Sequence, residues 1–220
     1  MLRLWLLPAE RGYDEMSPVR NRLILQSVAA ALGLALAACG QSSGTGAATV
    51  ASSGEALVGG PFQLIDQNGR PTDQTVLKGK WSAVFFGYTY CPDICPTTMQ
   101  ALAGAKAKLG DKARNLQVVF ISIDPERDTP ALLKTYLSTP AFPEGVIGLT
   151  GTPAQVAAAA KAYRVYYQKE GQGEGYSMAH SSIVYLMNPD GKFVTALTES
   201  QTPSEVATQI GDAMASGAKG

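Results

Sequence analysis

The chain has 220 residues, with 18 basic and 18 acidic side chains, so its formal net charge is zero and electrostatic binding to nucleic acid is disfavoured. Apolar residues make up 45% and charged residues 16%, which supports a real core and argues against general disorder. A single His excludes the common multi-His zinc constellations, and three Cys do not make a disulfide-stapled scaffold.

In chain order, Arg20 and Arg22 precede an uncharged stretch rich in Ala and Leu, which ends in Leu36-Ala37-Ala38-Cys39. A positive start, an apolar segment shorter than the roughly 20 residues of a bilayer span, and small residues at its end predict a signal peptide over 1–38. Cys39 directly after Leu-Ala-Ala resembles the bacterial lipoprotein signal, in which that Cys is acylated and becomes the new N-terminus. Cys39 is therefore the expected lipidation site, and an uncleaved signal anchor is the plain alternative. Glu10, Asp14 and Glu15 are unusual ahead of such a leader, which favours Met16 as the true start. Residues 39–56 are mostly Gly, Ser, Ala and Thr with almost no bulk, a flexible tether. Residues 57–216 are the expected folded domain.

Within that domain, residues 62–75 read as two short strands around Asp66-Gln67-Asn68-Gly69, with Asn-Gly as the turn. Residues 81–87 and 116–123 are apolar runs of β-formers and predict buried strands. Residues 97–109 have helical composition and stop at Gly110. Residues 130–137 predict a helix capped by Thr129, and Thr152-Pro153 opens another through Tyr163. A brief strand is expected at 146–149 and another at 165–169, followed by a loop over 171–175. Residues 181–187 and 192–197 flank Asn188-Pro189-Asp190-Gly191 as a hairpin, and Thr202-Pro203 opens the last helix. Alternating strands and helices imply parallel pairing, and the closing hairpin makes the sheet mixed. The expected class is α/β: a thioredoxin-like mixed sheet flanked by helices, with an N-terminal β-hairpin extension.

Chemistry concentrates in Phe85-Phe86-Gly87-Tyr88-Thr89-Tyr90-Cys91-Pro92-Asp93-Ile94-Cys95-Pro96. If residues 91–95 form a first helical turn, the two Cys share a face, and the helix N-terminus lowers their pKa values. The sulfurs can then close a disulfide or hold one soft metal ion. Redox motifs of thioredoxin type have two residues between the cysteines. Here there are three, which leaves room for a metal. A buried structural disulfide is the plainer reading.

His180 lies at the end of a loop and directly before the 181–187 strand. A lone His is commonly structural. In a thioredoxin-like sheet, however, this strand start lies near the Cys helix, where a cis-Pro usually stands. Two thiolates and one imidazole make a three-ligand site suited to copper. Asp93 is open to two readings, a helix cap or a tuning charge. Asp124-Pro125 and Asp128-Thr129-Pro130 are readable as capping and support, or as having a direct role in partner docking or site orientation. Met99 and Met178 read as core or loop residues, and Phe85, Phe86, Tyr88 and Tyr90 as core and site wall.

On these motifs the sequence resembles the Sco/SenC family of membrane-tethered copper proteins. The match rests on the Cys-Pro-Asp-Ile-Cys-Pro segment, on Ser122-Ile123-Asp124-Pro125-Glu126-Arg127-Asp128-Thr129-Pro130, and on His180-Ser181. The resemblance implies Cys91, Cys95 and His180 as copper ligands. It further implies delivery of one copper to the dinuclear centre of cytochrome c oxidase. The implied partners are that copper-accepting subunit, a membrane reached through the lipid anchor, and an upstream copper donor, on the periplasmic side of a bacterial cell envelope. One departure is Met178-Ala179 before His180, where the family often has an acidic residue. The alternative is an enzyme, a thiol-disulfide oxidoreductase that uses Cys91 and Cys95 as a redox pair to reduce the acceptor's cysteines. A thiol peroxidase is disfavoured, because no Arg or Lys occurs between Trp81 and Lys106. Zinc is chemically possible, but one His does not demand it.

Overall fold

The structure, a computed structural model, describes residues 58–217, all within the unit Ser52–Gly220. The predicted leader, Cys39 and the whole tether lie outside the described residues. Strand β1, Gln63–Asp66, turns into β2, Pro71–Asp73, as an antiparallel hairpin. The turn forms because Gly69 accepts φ +79° and the Asp66 carboxylate accepts from the Asn68 and Arg70 amides at 2.8 and 2.9 Å.

Strand β3, Trp81–Gly87, is buried at every position. Helix α1 spans Ile94–Leu109 and is followed by β4, Leu116–Ser122, and α2, Pro130–Leu137. Then come β5, Ile147–Thr150, and α3, Pro153–Ala162. Strands β6, Tyr167–Glu170, and β7, Ser177–His180, precede β8, Val184–Met187, and β9, Phe193–Leu197. Helix α4, Pro203–Gly217, closes the fold.

Seven strands form one mixed sheet in the order β2-β1-β5-β4-β3-β8-β9, with β3, β4 and β5 parallel and the two hairpins antiparallel. The central position of β3 explains its continuous apolar run: both faces are covered and nothing selects a polar residue. Phe85, Phe86 and Phe120 are fully buried, with Phe85 and Phe120 edge to face at 5.9 Å. Helices α1 and α4 pack against each other. Thr129 caps α2, and Thr152 forms a reciprocal capping box with Gln155 on α3. Among the described residues, no helix is long and apolar enough to cross a membrane.

Two elements depart from the sequence expectation. Helix α1 begins at Ile94 and not at 97, because Pro96 lies in the first turn, where no backbone N–H is needed. The segment 177–180, expected as loop, is strand β7. It pairs only with β6, as a two-stranded ribbon separate from the main sheet, and the main-sheet strand starts at Val184 instead of 181.

Candidate metal centre

Strand β3 delivers the chain to Gly87, after which Tyr88, Thr89 and Tyr90 turn toward Cys91. The Cys91 amide donates to the Tyr88 carbonyl at 3.3 Å. Cys91 is not in the helix, so the two sulfurs do not share a helical face. Instead the Cys91 sulfur accepts the Cys95 amide at 3.3 Å, sealing one of the open N–H groups of the α1 N-terminus. Asp93 stands at the N-cap position but makes no side-chain cap; its carboxylate takes the Thr97 hydroxyl at 3.3 Å.

Cys95 is fully buried and Cys91 is partly exposed; both are free thiols. The environment separates them. The Cys95 thiol hydrogen-bonds the Cys91 sulfur, and this contact does most to depress the Cys91 pKa. Burial opposes it, while His180 and the Cys95 and Asp93 amides add to it, leaving Cys91 at about 4. Cys95 moves the other way, raised by its bond to Cys91, by burial and by the Cys91 charge. In the apo protein at neutral pH, Cys91 is the thiolate and Cys95 the thiol.

His180 is the last residue of β7, opposite Tyr167. Its Nδ1 lies 3.0 Å from the Ser181 carbonyl, which can only accept, so Nδ1 carries the proton. Nε2 is thereby the ring nitrogen turned to the site, and it faces the Cys95 sulfur at 3.6 Å. Phe85 and Tyr88 wall the imidazole edge-on, with centroids at 6.2 and 5.8 Å. The donor atoms of Cys91, Cys95 and His180 all lie within 4.8 Å of one another, the one cluster of its kind among the described residues. Metal bonds of about 2.3 Å to sulfur and 2.0 Å to nitrogen put trigonal donors roughly 3.7 to 4.0 Å apart, so the cluster needs little movement to close on one ion. Two sulfurs and one nitrogen favour a soft metal.

The segment 122–130 frames this centre. Asp128 is fully buried and accepts the Thr89 amide at 3.1 Å, the Thr89 hydroxyl at 2.6 Å and the Ser122 hydroxyl at 2.7 Å. It thereby ties the turn before Cys91 to the end of β4. Asp124 accepts from the Arg127 Nε and the Tyr176 hydroxyl. Arg127 also donates to the Tyr176 carbonyl at 2.9 Å and lies 3.5 Å from the Tyr176 ring and 4.6 Å from the Tyr90 ring. Lys169 pairs with Glu126 at 2.7 Å. These contacts pin the β6–β7 ribbon, and with it His180, to the Cys side of the site. Asp124 and Asp128 are interior supports, too buried to form a docking surface.

Phe85, Phe86 and Tyr88 are buried as expected, whereas Tyr90 is exposed. Met99 is fully buried and Met178 nearly so. Sequence reasoning missed Gly87 and Tyr176. A Cβ on Gly87 would stand 2.8 Å from the Cys95 sulfur and 3.0 Å from the Phe120 ring. The available signal was a Gly ending an apolar strand just before the Cys pair.

A family model described as SCO1/SenC matches residues 50–215. Protein SCO2, mitochondrial, of Saccharomyces cerevisiae is 44% identical over 148 residues, covering 66% of this chain and 48% of that protein. Protein SenC of Rhodobacter capsulatus is 41% identical over 170 residues, covering 76% and 73%. The chain spans about half the length of the first mitochondrial relatives it matches. Bradyrhizobium japonicum ScoI, solved with copper bound, superposes with a TM-score of 0.64 at 44% identity, covering 70% of this chain and 98% of that one. BsSco superposes with a TM-score of 0.56 at 26% identity, covering 70% and 90%. That protein is described as having a disulfide switch and as a member of the Sco family of cytochrome c oxidase assembly proteins.

Proposed function

Because this chain belongs to the SCO1/SenC family, we propose that it is a copper metallochaperone that holds one copper ion through Cys91, Cys95 and His180. The observation that carries this reading is the convergence of two cysteine sulfurs and one imidazole, with His180 Nε2 turned to the sulfurs by the Ser181 contact at Nδ1. The ion is cargo, passed to the dinuclear copper centre of a cytochrome c oxidase. The copper-bound ScoI and the oxidase-assembly description of BsSco support that destination. In this reading residues 1–38 are a signal peptide, Cys39 carries a lipid, and 39–56 let the domain at 57–216 range over the membrane on the periplasmic side of a bacterial envelope.

A second reading has its own support. The depressed Cys91 and raised Cys95 form the asymmetric pair that thiol-disulfide exchange uses, an outer nucleophile and an inner resolving thiol. The two roles are compatible, since a disulfide must be opened before the thiolates take copper.

Copper stoichiometry on the reduced protein, beside His180→Ala, separates them. About one copper per chain, with affinity weakened by more than about 100-fold in the variant, supports metal delivery. No retained copper, with equal dithiol exchange in both proteins, supports the reductase.

A further inference from the structure

A groove of about 170 Å³ opens beside the first turns of α1, bounded across from it by the end of β9 and the loop into α4. Its volume equals roughly six waters and falls well short of the roughly 300–1,000 Å³ of small-molecule sites, so it fits one bulky side chain. Leu197 is buried in its floor, and Ile94, at 37% exposure, is one of four large hydrophobics left open to solvent among the described residues. Asp93 and Glu199 stand in its lining, no Lys or Arg does, and neither carboxylate belongs to an ion pair among the described residues. Thr98, more than nine-tenths buried in the same wall, has a hydroxyl with no hydrogen-bond partner. Asp93 and Ile94 lie between Cys91 and Cys95 in the chain. The groove therefore adjoins the segment that carries both sulfurs, without being lined by either of them.

We propose that this groove docks the protein that receives the metal, through an extended segment carrying one bulky apolar anchor beside a Lys or Arg. The volume excludes a drug-sized ligand. The unpaired carboxylates repel an anionic membrane surface and complement a basic partner. A single anchor in a small pocket next to a reactive centre is how a few residues come to dominate an interface. The identity of the partner rests on the copper-delivery reading.

The test uses Cu(I)-loaded protein and a purified, soluble copper-accepting domain of a cytochrome c oxidase. Transfer rates to that domain and to a small Cu(I) chelator are compared for wild type, Glu199→Lys and Ala101→Trp. Glu199 is exposed and Ala101 half-buried, so both variants should fold, and thermal melts check this. Each variant should slow transfer to the domain at least about tenfold and leave transfer to the chelator unchanged. Raising the salt should slow only the wild-type protein-to-protein step. Variants that deliver to the domain as fast as wild type overturn the proposal. So does concentration-dependent self-association that Ala101→Trp abolishes, because the groove would then seat a second copy of this chain. Wild-type protein that loads no copper refutes the metal reading itself, and it is distinguishable because the chelator arm also reads zero.

Discussion

Gly87→Ala adds one methyl group at the most crowded point of the centre. Gly87 closes the buried strand β3, in register with Ser122 of β4, and its backbone is not in the left-handed region. The penalty is therefore steric. The new carbon would sit 2.8 Å from the Cys95 sulfur and 3.0 and 3.1 Å from two atoms of the Phe120 ring. Both neighbours are fully buried, and Phe120 is braced by Phe85 and Tyr136 at 5.9 and 5.8 Å, so the sulfur has to give way. Overpacking of this kind costs about 1–3 kcal/mol, and the lower chain entropy of Ala returns about 0.5–1 kcal/mol. The net loss of roughly 1–2 kcal/mol should lower the apo Tm by roughly 2–8 °C. Metal affinity should fall more, because the displaced atom is one of the three donors. Thermal melts of the apo protein and chelator-competition titrations of Cu(I) measure the two effects. A variant with wild-type Tm and affinity would refute the claim that Gly87 sets the Cys95 position.

Other outcomes follow from the same contacts. Cys91 in the reduced apo protein should react with iodoacetamide at a nearly constant rate from pH 6 to 8, since its pKa is about 4. Cys95→Ala removes the strongest stabiliser of that thiolate, so the rate should then rise with pH; stopped-flow alkylation reads both. Asp128→Ala leaves the Thr89 amide and the Thr89 and Ser122 hydroxyls without their acceptor, and should cost about 3 kcal/mol in denaturant unfolding. Burial works against the Asp66 charge, but the Arg70 and Asn68 contacts win and hold its pKa at about 2. Its contribution is present above the unfolded value near 4 and lost as pH falls through about 2. Asp66→Asn should flatten that part of the stability profile by roughly 1 kcal/mol, allowing for solvent screening of the exposed Arg70.

Much of this architecture is legible in the sequence. Strands β3 and β4 announce themselves because continuous burial leaves only apolar β-formers, and Thr129-Pro130 and Thr152-Pro153 mark helix starts by local chemistry alone. Strand β7 is hidden because Ser177-Met178-Ala179-His180 has no strong β-former and follows a Gly-rich run, and it pairs with a mostly exposed partner. The start of α1 is hidden because its open amide is met by a cysteine sulfur, an acceptor outside the usual capping residues. Both cysteines stand out by spacing. Their proximity to His180, 85 residues beyond Cys95, becomes visible only through a fold that brings β7 over the Cys turn. The pinning of that strand by Arg127 and Tyr176 depends on geometry that no linear pattern encodes.

The unequal depth of the two sulfurs gives the centre a direction. Cys95 is sealed beneath Gly87 and Phe120, and Cys91 meets solvent. Any incoming thiol or metal donor therefore encounters Cys91 first. A mixed disulfide would form there and be broken from below, and a departing ion would leave by the same door. In either proposed role, arrivals and departures would proceed in single file, with Cys95 the last sulfur to let go.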